Sequence, residues 1–200
     1  MVLYAWPIAK LLGAKILNGA VRFAGVVKLF SELWWYLKLT LPISDAVVAN
    51  SLAGLKLCGN SNSRKYRCIY NGHNSSSVSL EISSDEIRSR LNIGASSVIG
   101  MVANFSARKD YKTPIRAVLK LLQKGEDVVF IAVGDGPGMR EAKSLIEDKH
   151  KGKFFFVGRR KNVQQYVRIF DIAVLTTNTI VHKEGMANSI MEYMAMGKPV

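Results

Sequence analysis

The stretch DVVFIAVGDGPGMREAKS (127–144) is typical of a buried strand that turns directly into a helix. Residues 127–134 are rich in β-branched and aromatic side chains, which favour strands. The glycine loop GDGPG (134–138) follows this strand and opens the helix. A continuous apolar strand of this kind predicts a parallel sheet that is covered on both faces.

The same alternation of strand and helix surrounds this stretch. A capping box formed by Ser83 and Glu86 predicts a further helix that runs through Arg90. Repeated strand–helix units predict an α/β fold with a Rossmann-like parallel sheet and helices on both faces. The predicted strands are 14–22, 44–51, 65–72, 97–104, 127–134, 153–158 and 171–177, and the predicted helices are 23–39, 113–124, 138–150, 163–170 and 188–196.

The charge of the chain predicts a partner that carries negative charge. Its 200 residues have a formal net charge of +13, and such an excess attracts nucleic acid, anionic headgroups or phosphorylated small molecules. No uncharged apolar run reaches the roughly 18 residues that a transmembrane helix needs. We therefore expect a cytoplasmic protein, and peripheral contact at the inner face of the membrane stays open.

The glycine loop resembles a dinucleotide-binding loop, but it lacks two features of one. The last glycine of a GxGxxG pattern would fall on Met139, and Arg159 rather than an acidic residue follows the next strand. A nicotinamide cofactor is therefore not expected. Gly134 and Gly136 fit either a tight strand-to-helix turn or a ligand loop. Lys109, in the loop after the preceding strand, fits either a surface lysine or a diphosphate ligand beside helix N-termini.

Two glutamates stand eight residues apart in EGMANSIMEYMAMG (184–197). Eight residues of helix span about 12 Å, whereas hydrolytic carboxylate pairs lie about 5–9.5 Å apart. The spacing of Glu184 and Glu192 therefore disfavours a hydrolase. Ser189 and Glu192 also form a capping box. Glu192 thus fits two roles, a helix cap or one end of a clamp on an elongated ligand such as a sugar nucleotide.

Six pieces of the chain resemble, in register, the retaining GT-B glycosyltransferases of glycosyltransferase family 4, the glycosyl transferases group 1 domain. The pieces are SDAVVANS, IYNG, IGMVANFSARKDYKTPIRAVLKLL, VFIAVGDGP, FFFVGRRKNVQQYVRIFDIAVLTT and EGMANSIMEYMAMGKPV. This resemblance implies the C-terminal half of a GT-B fold, truncated at both ends. It implies a remnant of the N-terminal acceptor domain at 1–43 and an incomplete nucleotide-sugar-binding domain at 44–200.

The resemblance implies a role for each matched site residue. Glu184 lies beside the transferred sugar as the catalytic residue, and Glu192 accepts hydrogen bonds from the ribose. Lys109 neutralises the diphosphate. Neither a metal nor a cofactor is implied, since the sugar nucleotide is the donor substrate. The other implied donor-binding residues are Asn104, Arg108, Gly134, Gly136, Gly185, Met186, Ala187 and Asn188.

The chain departs from the family pattern at two motifs and in its extent. Asn104 stands where many members have an arginine, so the diphosphate has one cation fewer unless Arg108 substitutes for it. The family's NG-x-D motif reads NGHN at 71–74. Because a complete member extends beyond this chain at both ends, we expect the 200 residues alone to be inactive.

The resemblance implies transfer of a hexose from a nucleotide-diphosphate sugar to an acceptor hydroxyl with retention, in glycan or cell-surface polysaccharide synthesis. The implied partners are this donor and a glycan or lipid-linked acceptor, without nucleic acid. Two alternatives stay open, a sugar-nucleotide epimerase of GT-B fold and a non-catalytic basic α/β binding module. The aromatic and basic residues within 3–39 fit either docking on anionic headgroups or packing against a further domain.

Overall fold

The computed structural model describes residues 2–22, 25, 27–58, 63–72 and 82–200. Within these ranges, every helix is too short or too polar to form a membrane span. The chain divides into two compact units: the first comprises residues up to Gly72 together with His182–Ala187, and the second comprises the rest. His73 and Asn74, which complete the altered NG-x-D motif, lie outside the described residues.

The first unit is built around a three-stranded parallel sheet with the order β1-β2-β3. Its core is a small cluster in which Val21, Val47 and Ala49 of the strands meet Leu37 and Leu55 of the helices. The elements are α1 (Val2–Leu11), β1 (Leu17–Val21), α2 (Glu32–Ile43), β2 (Ala46–Ala49), α3 (Leu52–Leu57) and β3 (Tyr66–Cys68).

The helix predicted at 23–39 is wrong in its bounds, because α2 begins only at Glu32. Ser31 sets this start, since its side-chain oxygen accepts a hydrogen bond from the Trp34 backbone N–H at 3.2 Å. Three residues of the predicted helix lie outside the described ranges. α2 also extends beyond the predicted end at residue 39 and includes Pro42.

The second unit contains a four-stranded parallel sheet with the order β6-β5-β4-β7. The capping box predicted at its first helix is confirmed, since the Ser83 hydroxyl oxygen accepts a hydrogen bond from the Glu86 backbone N–H at 3.1 Å. The elements are α4 (Ser84–Leu91), β4 (Ser97–Val102), α5 (Lys112–Gln123), β5 (Val128–Val133), α6 (Met139–Ser144), a 3₁₀ helix (Asp148–Lys153), β6 (Phe154–Gly158), α7 (Val163–Arg168), β7 (Ile172–Ala173) and α8 (Asn188–Ala195).

Side chains of β5 alternate between two apolar layers, as they must in a strand that is buried on both faces. Val129, Ile131 and Val133 pack in a layer that includes residues of α4, α7 and α8. Val128 and Phe130 pack in the opposite layer with residues of α5 and α6. The predicted fold class, α/β with a parallel sheet and helices on both faces, is therefore confirmed.

The helix predicted at 138–150 is wrong in its second half. α6 ends at Ser144, and Glu147 is extended with φ −64° and ψ 149° before the 3₁₀ helix begins. Ile146 lies between the two helices and packs into the core at 7% exposure. Burial of this side chain accompanies the break in the helix.

The two compact units divide the chain later than the domain boundary predicted after residue 43. β2, which the sequence assigns to the C-terminal domain, pairs with β1 and lies in the first unit. His182–Ala187 returns to the first unit from the other end of the sequence. The extents of the two family domains stay a prediction.

Candidate functional site

Backbone hydrogen bonds join the loops that leave β4 and β5 at the carboxyl end of the second sheet. The Ala103 N–H donates to the Val133 oxygen at 3.1 Å, and the Phe105 N–H donates to the Asp135 oxygen at 3.0 Å. The Gly138 N–H donates back to the Phe105 oxygen at 2.9 Å. Ligands of open parallel sheets bind beyond this end of the strands, and here the joined loops give that end a fixed shape.

Gly134 and Gly136 are required by this close approach of the two loops. Their φ angles are 150° and 149°, which residues with a side chain rarely adopt. A Cβ on Gly134 would lie 1.9 Å from the Ala103 oxygen, and one on Gly136 would lie 2.7 Å from the Phe105 oxygen. The tight-turn interpretation therefore accounts for both glycines, and their contact with a donor stays a prediction.

A cavity of about 600 Å³ lies at the carboxyl ends of β4, β5 and β6. Asn104, Gly134 and Gly136 of the predicted site line it, and so do Arg159 and Arg160, which are both exposed. The donor-binding residues predicted from the sequence do not include these two arginines, although residues 158–161 follow a predicted strand. Their position directly after a parallel strand is the signal that could have marked the two arginines as site residues. Asp135 also lines the cavity, so two positive charges against one negative charge make it attractive to an anion.

The loop that carries Lys109 is held by the segment that follows β7. The Asn178 N–H donates to the Arg108 oxygen at 2.9 Å, and the Asp110 N–H donates to the Thr176 oxygen at 3.1 Å. The Thr176 hydroxyl also donates to the Asp110 oxygen. Lys109 thus projects from a braced loop rather than from a loose one.

This pairing changes the strand that was predicted at 171–177, which is wrong in its length. Only Ile172–Ala173 pair with β4. Residues further along form an antiparallel bridge instead, with Thr177 opposite Lys109. Residues 176–178 therefore form backbone hydrogen bonds or a bridge with the loop of Lys109.

Lys109 and Asn104, two of the predicted donor-binding residues, line different cavities. Lys109 is half-buried and lines a second cavity of about 680 Å³ together with Lys112 and Arg116. Asn104 lines the cavity of about 600 Å³. Lys112 forms an exposed ion pair with Glu141 at 2.7 Å, so part of the positive charge in the second cavity is already balanced.

α8 carries Asn188 and Glu192 and is anchored by a buried tyrosine. Tyr193 is fully buried, and its hydroxyl oxygen accepts a hydrogen bond from the Val102 N–H at 2.6 Å. Burial raises the pKa of Tyr193 to about 12. α8 begins at Asn188, so Ser189 lies inside the helix and not at the cap position that a capping box with Glu192 requires.

The irregular segment His182–Ala187 carries the remaining predicted residues and lies in the first unit. The Glu184 side chain is 28% exposed, and its Oε2 lies 3.6 Å from His182 Nε2. The Met186 backbone oxygen accepts a hydrogen bond from Asn71 Nδ2 at 3.2 Å. Asn71 was noted in the sequence only as part of a motif, because nothing in the sequence links it to a residue 115 positions away.

The predicted site residues are therefore divided between the two units, and the role of each stays a prediction. In the described parts of the chain, no group of three or more His, Cys, Asp or Glu residues is placed to hold a metal ion. The first unit contains Glu184, Gly185, Met186 and Ala187, and the second contains Asn104, Arg108, Lys109, Gly134, Gly136, Asn188 and Glu192.

The model of the family described as Glycosyl transferases group 1 matches residues 96–200, more than half of the chain. The chain belongs to this family. Every predicted site residue of this group 1 chain lies within the matched region. The resemblance to the group 1 domain is thus confirmed, and the assignment to family 4 stays a prediction.

Two solved structures with the GT-B architecture resemble this group 1 chain in fold. HepE from Anabaena, solved in complex with UDP, is 19% identical with a TM-score of 0.81, and the match covers 100% of this chain and 56% of HepE. A glycosyltransferase from Rickettsia africae is 20% identical with a TM-score of 0.76, and the match covers 97% of this chain and 52% of that protein. At this level of identity the likeness concerns the fold alone.

A curated relative is similar to this group 1 chain in sequence. The 2-deoxystreptamine glucosyltransferase of Streptomyces kanamyceticus is 28% identical over 106 residues, which are 52% of this chain and 26% of that enzyme. The chain thus spans about a quarter of that relative and about half of the solved structures.

Proposed function

We propose that this chain contributes the donor-binding region of a retaining glycosyltransferase, which transfers a hexose from a nucleotide-diphosphate sugar to an acceptor hydroxyl. The observation that carries this proposal is the family match over residues 96–200, which includes every predicted site residue. HepE was solved with UDP and with UDP-glucose, which supports a sugar nucleotide as the ligand. The proposed acceptor is a glycan or a lipid-linked glycan, and the proposed process is glycan or cell-surface polysaccharide synthesis.

The cations at the carboxyl end of the second sheet supply the charge that a diphosphate needs. Lys109 stands on a braced loop, and Arg108 precedes it. Arg159 and Arg160 line the neighbouring cavity, which Asn104 leaves without a further cation. Negative charge on the diphosphate grows as the sugar bond breaks, so a fixed lysine stabilises the transition state more than the ground state. We propose that these groups make a bound metal unnecessary.

The two glutamates are proposed to bind different parts of the donor. Glu192, on the anchored helix α8, accepts hydrogen bonds from the ribose. The N-terminus of α8 at Asn188 carries partial positive charge, which stabilises a nearby negative charge. Glu184 and the backbone of Gly185–Ala187 contact the transferred sugar. A carboxylate accepts hydrogen bonds from two hydroxyl groups at once, which suits both ribose and hexose.

Titration calorimetry with UDP-glucose, GDP-mannose and ADP-glucose tests this proposal on the chain itself. We expect one of the three to bind without added metal, and its nucleoside diphosphate to compete for the same site. Lys109→Ala should weaken binding of the nucleoside diphosphate by roughly 10- to 100-fold, the range for a hydrogen bond to a charged group. Binding of the nucleoside should not change. Lys120→Ala, at an exposed position of α5, is the matched control.

The outcomes of this titration separate the alternatives. The proposal is contradicted if none of the three sugar nucleotides binds. It is also contradicted if Lys109→Ala binds the nucleoside diphosphate as tightly as the unaltered chain does. Loss of binding in EDTA that manganese or magnesium restores would contradict its metal-independent part.

We further propose that the protein contacts the anionic inner face of the cytoplasmic membrane through α1 and α2. α1 has no buried residue, and Tyr4 on it is 87% exposed. The Lys10 ammonium lies 5.5 Å from the Trp6 ring centroid, and the Lys38 ammonium lies 5.7 Å from that of Trp34. Aromatic rings with lysines beside them are typical of helices that lie at anionic headgroups.

Sedimentation with phosphatidylglycerol vesicles tests this contact. We expect the chain to pellet at low salt and to be released as salt rises, because the Debye length shortens. The double substitution Lys10→Glu with Lys38→Glu should abolish pelleting. Lys120→Glu with Lys124→Glu, the same charge change in and just after α5, should not. If the unaltered chain stays in the supernatant at low salt, the exposed apolar face packs against protein and the membrane proposal is wrong.

A further inference from the structure

The segment His182–Ala187 meets residues that follow all three strands of the first sheet. Arg22 directly follows β1, Asn50 directly follows β2, and Asn71 lies three residues beyond β3. The carboxyl end of a parallel sheet is where ligand-binding loops are normally placed. In this unit that end holds the segment that carries Glu184.

Gly185 rests against the first two of these residues. A Cβ on Gly185 would lie 2.6 Å from Asn50 Oδ1 and 3.2 Å from the Arg22 oxygen. Asn50 is 8% exposed, and its N–H donates to the Val21 oxygen at 3.2 Å. Asn50 Oδ1 has no hydrogen-bond partner among the described residues. An acceptor without a partner in the described part of the chain therefore packs directly against the backbone of Gly185.

Two other contacts hold the segment on either side of Glu184. A Cβ on Gly25 would lie 2.5 Å from Lys183 Cδ, so the aliphatic part of Lys183 crosses this glycine closely. Beyond Glu184, Asn71 Nδ2 donates to the Met186 oxygen at 3.2 Å. The residue before Glu184 and the two residues after it thus all contact residues from the N-terminal part of the first unit.

We propose that Asn71 is a positioning residue for Glu184, which fixes the backbone beside the carboxylate by donating to Met186. This inference rests on the proposed function, in which Glu184 contacts the transferred sugar. A segment that is already ordered loses less conformational entropy when the sugar binds. Asn71 should therefore contribute to recognition of the sugar and not to recognition of the nucleoside diphosphate.

Two substitutions at this position test the hydrogen bond. Asn71→Leu keeps a similar volume and carries no charge, but it removes the donor. Asn71→His places the ring Nδ1–H near the position of the amide nitrogen and restores a donor. The unaltered chain, Asn71→Leu and Asn71→His are compared by two measurements. The first is hydrogen exchange of residues 182–187 without ligand, and the second is calorimetry with UDP-glucose and UDP, or with the pair that binds best in the titration above.

We expect the backbone amides of residues 182–187 to exchange hydrogen faster in Asn71→Leu than in the unaltered chain. The ratio of the Kd of Asn71→Leu for UDP-glucose to its Kd for UDP should rise about fivefold, while its Kd for UDP changes less than twofold. Asn71→His should restore both quantities. If Asn71 had a merely structural role, Asn71→Leu would lower the melting temperature and weaken binding of both ligands alike.

Each other outcome overturns a defined statement. Unchanged exchange in Asn71→Leu, or an unchanged ratio of the two Kd values, contradicts the positioning role while the proposed function stands. An Asn71→His variant that exchanges slowly but keeps the raised ratio also contradicts it. If no sugar nucleotide binds the unaltered chain, the proposed function fails first, and the exchange data still report whether Asn71 holds the segment.

Discussion

Glu184 and Glu192 are eight residues apart in sequence, yet they belong to regions that are built in different ways. Glu192 lies on the regular helix α8, which its neighbour Tyr193 anchors to Val102 of β4. Glu184 lies on an irregular segment that is held by residues far away in the sequence, among them Asn50 and Asn71. The conformation around Glu192 is therefore set by a local helix with a long-range anchor, whereas the conformation around Glu184 is set by several long-range contacts.

This difference shows what each region needs from the rest of the chain. A helix satisfies its own backbone groups and requires one good anchor to fix its direction. An irregular segment has few internal hydrogen bonds, so close contacts must supply both its shape and its position. Substitutions should therefore act on the two regions with different severity.

The largest effect is expected where two backbones meet in the second unit. Gly134→Ala would place a Cβ 1.9 Å from the Ala103 backbone oxygen at a φ of 150°, which should lower the free energy of unfolding by about 4 kcal/mol or more. Gly185→Ala should cost less, because the nearest atom, 2.6 Å away, belongs to the Asn50 side chain. Urea unfolding measures both variants.

Gly152→Ala is the control for these two variants, since a Cβ at that position meets no atom within 4 Å. It should change the free energy of unfolding by less than about 0.5 kcal/mol. If Gly185→Ala proves as damaging as Gly134→Ala, the segment is as rigidly enclosed as the glycine loop, and the contrast between the two regions is wrong.

A smaller effect is expected from removing the anchor of α8. Tyr193→Phe keeps the packing of the ring but leaves the N–H of the partly buried Val102 without its 2.6 Å partner, which should cost about 1–3 kcal/mol. Residues 188–192 should exchange their amide hydrogens faster as the helix start loosens. Tyr70→Phe, at a residue that is 52% exposed, is the control. Equal stability of the two variants would show that packing alone holds α8.

Much of the second unit could be predicted from its sequence, because its signals are local. The Ser83 cap, the apolar strands β4 and β5, and the helix that becomes α8 are all specified by neighbouring residues. The failures lie where a distant partner decides the conformation. The strand after Asp171 is short because Thr176 pairs with the loop of Lys109, and nothing in the sequence shows that pairing.

The sequence indicates candidate site residues, but it does not indicate how they are arranged. The positions of Glu184, Glu192 and Lys109 follow from motifs that the family match covers. The contacts of Asn50 and Asn71 with the segment around Glu184 cross more than a hundred residues. Such contacts depend on the order of strands in a sheet, which local patterns do not determine.

The central claim is that the two glutamates bind opposite ends of one sugar nucleotide, and the Kd values of UDP and UDP-glucose for Glu184→Ala and Glu192→Ala test it most directly. Glu192→Ala should weaken binding of both ligands equally, by about 1–3 kcal/mol for the lost ribose contact. Glu184→Ala should weaken binding of UDP-glucose and leave binding of UDP unchanged. The account is contradicted if both variants affect the two ligands alike, or if Glu192→Ala lowers only the melting temperature.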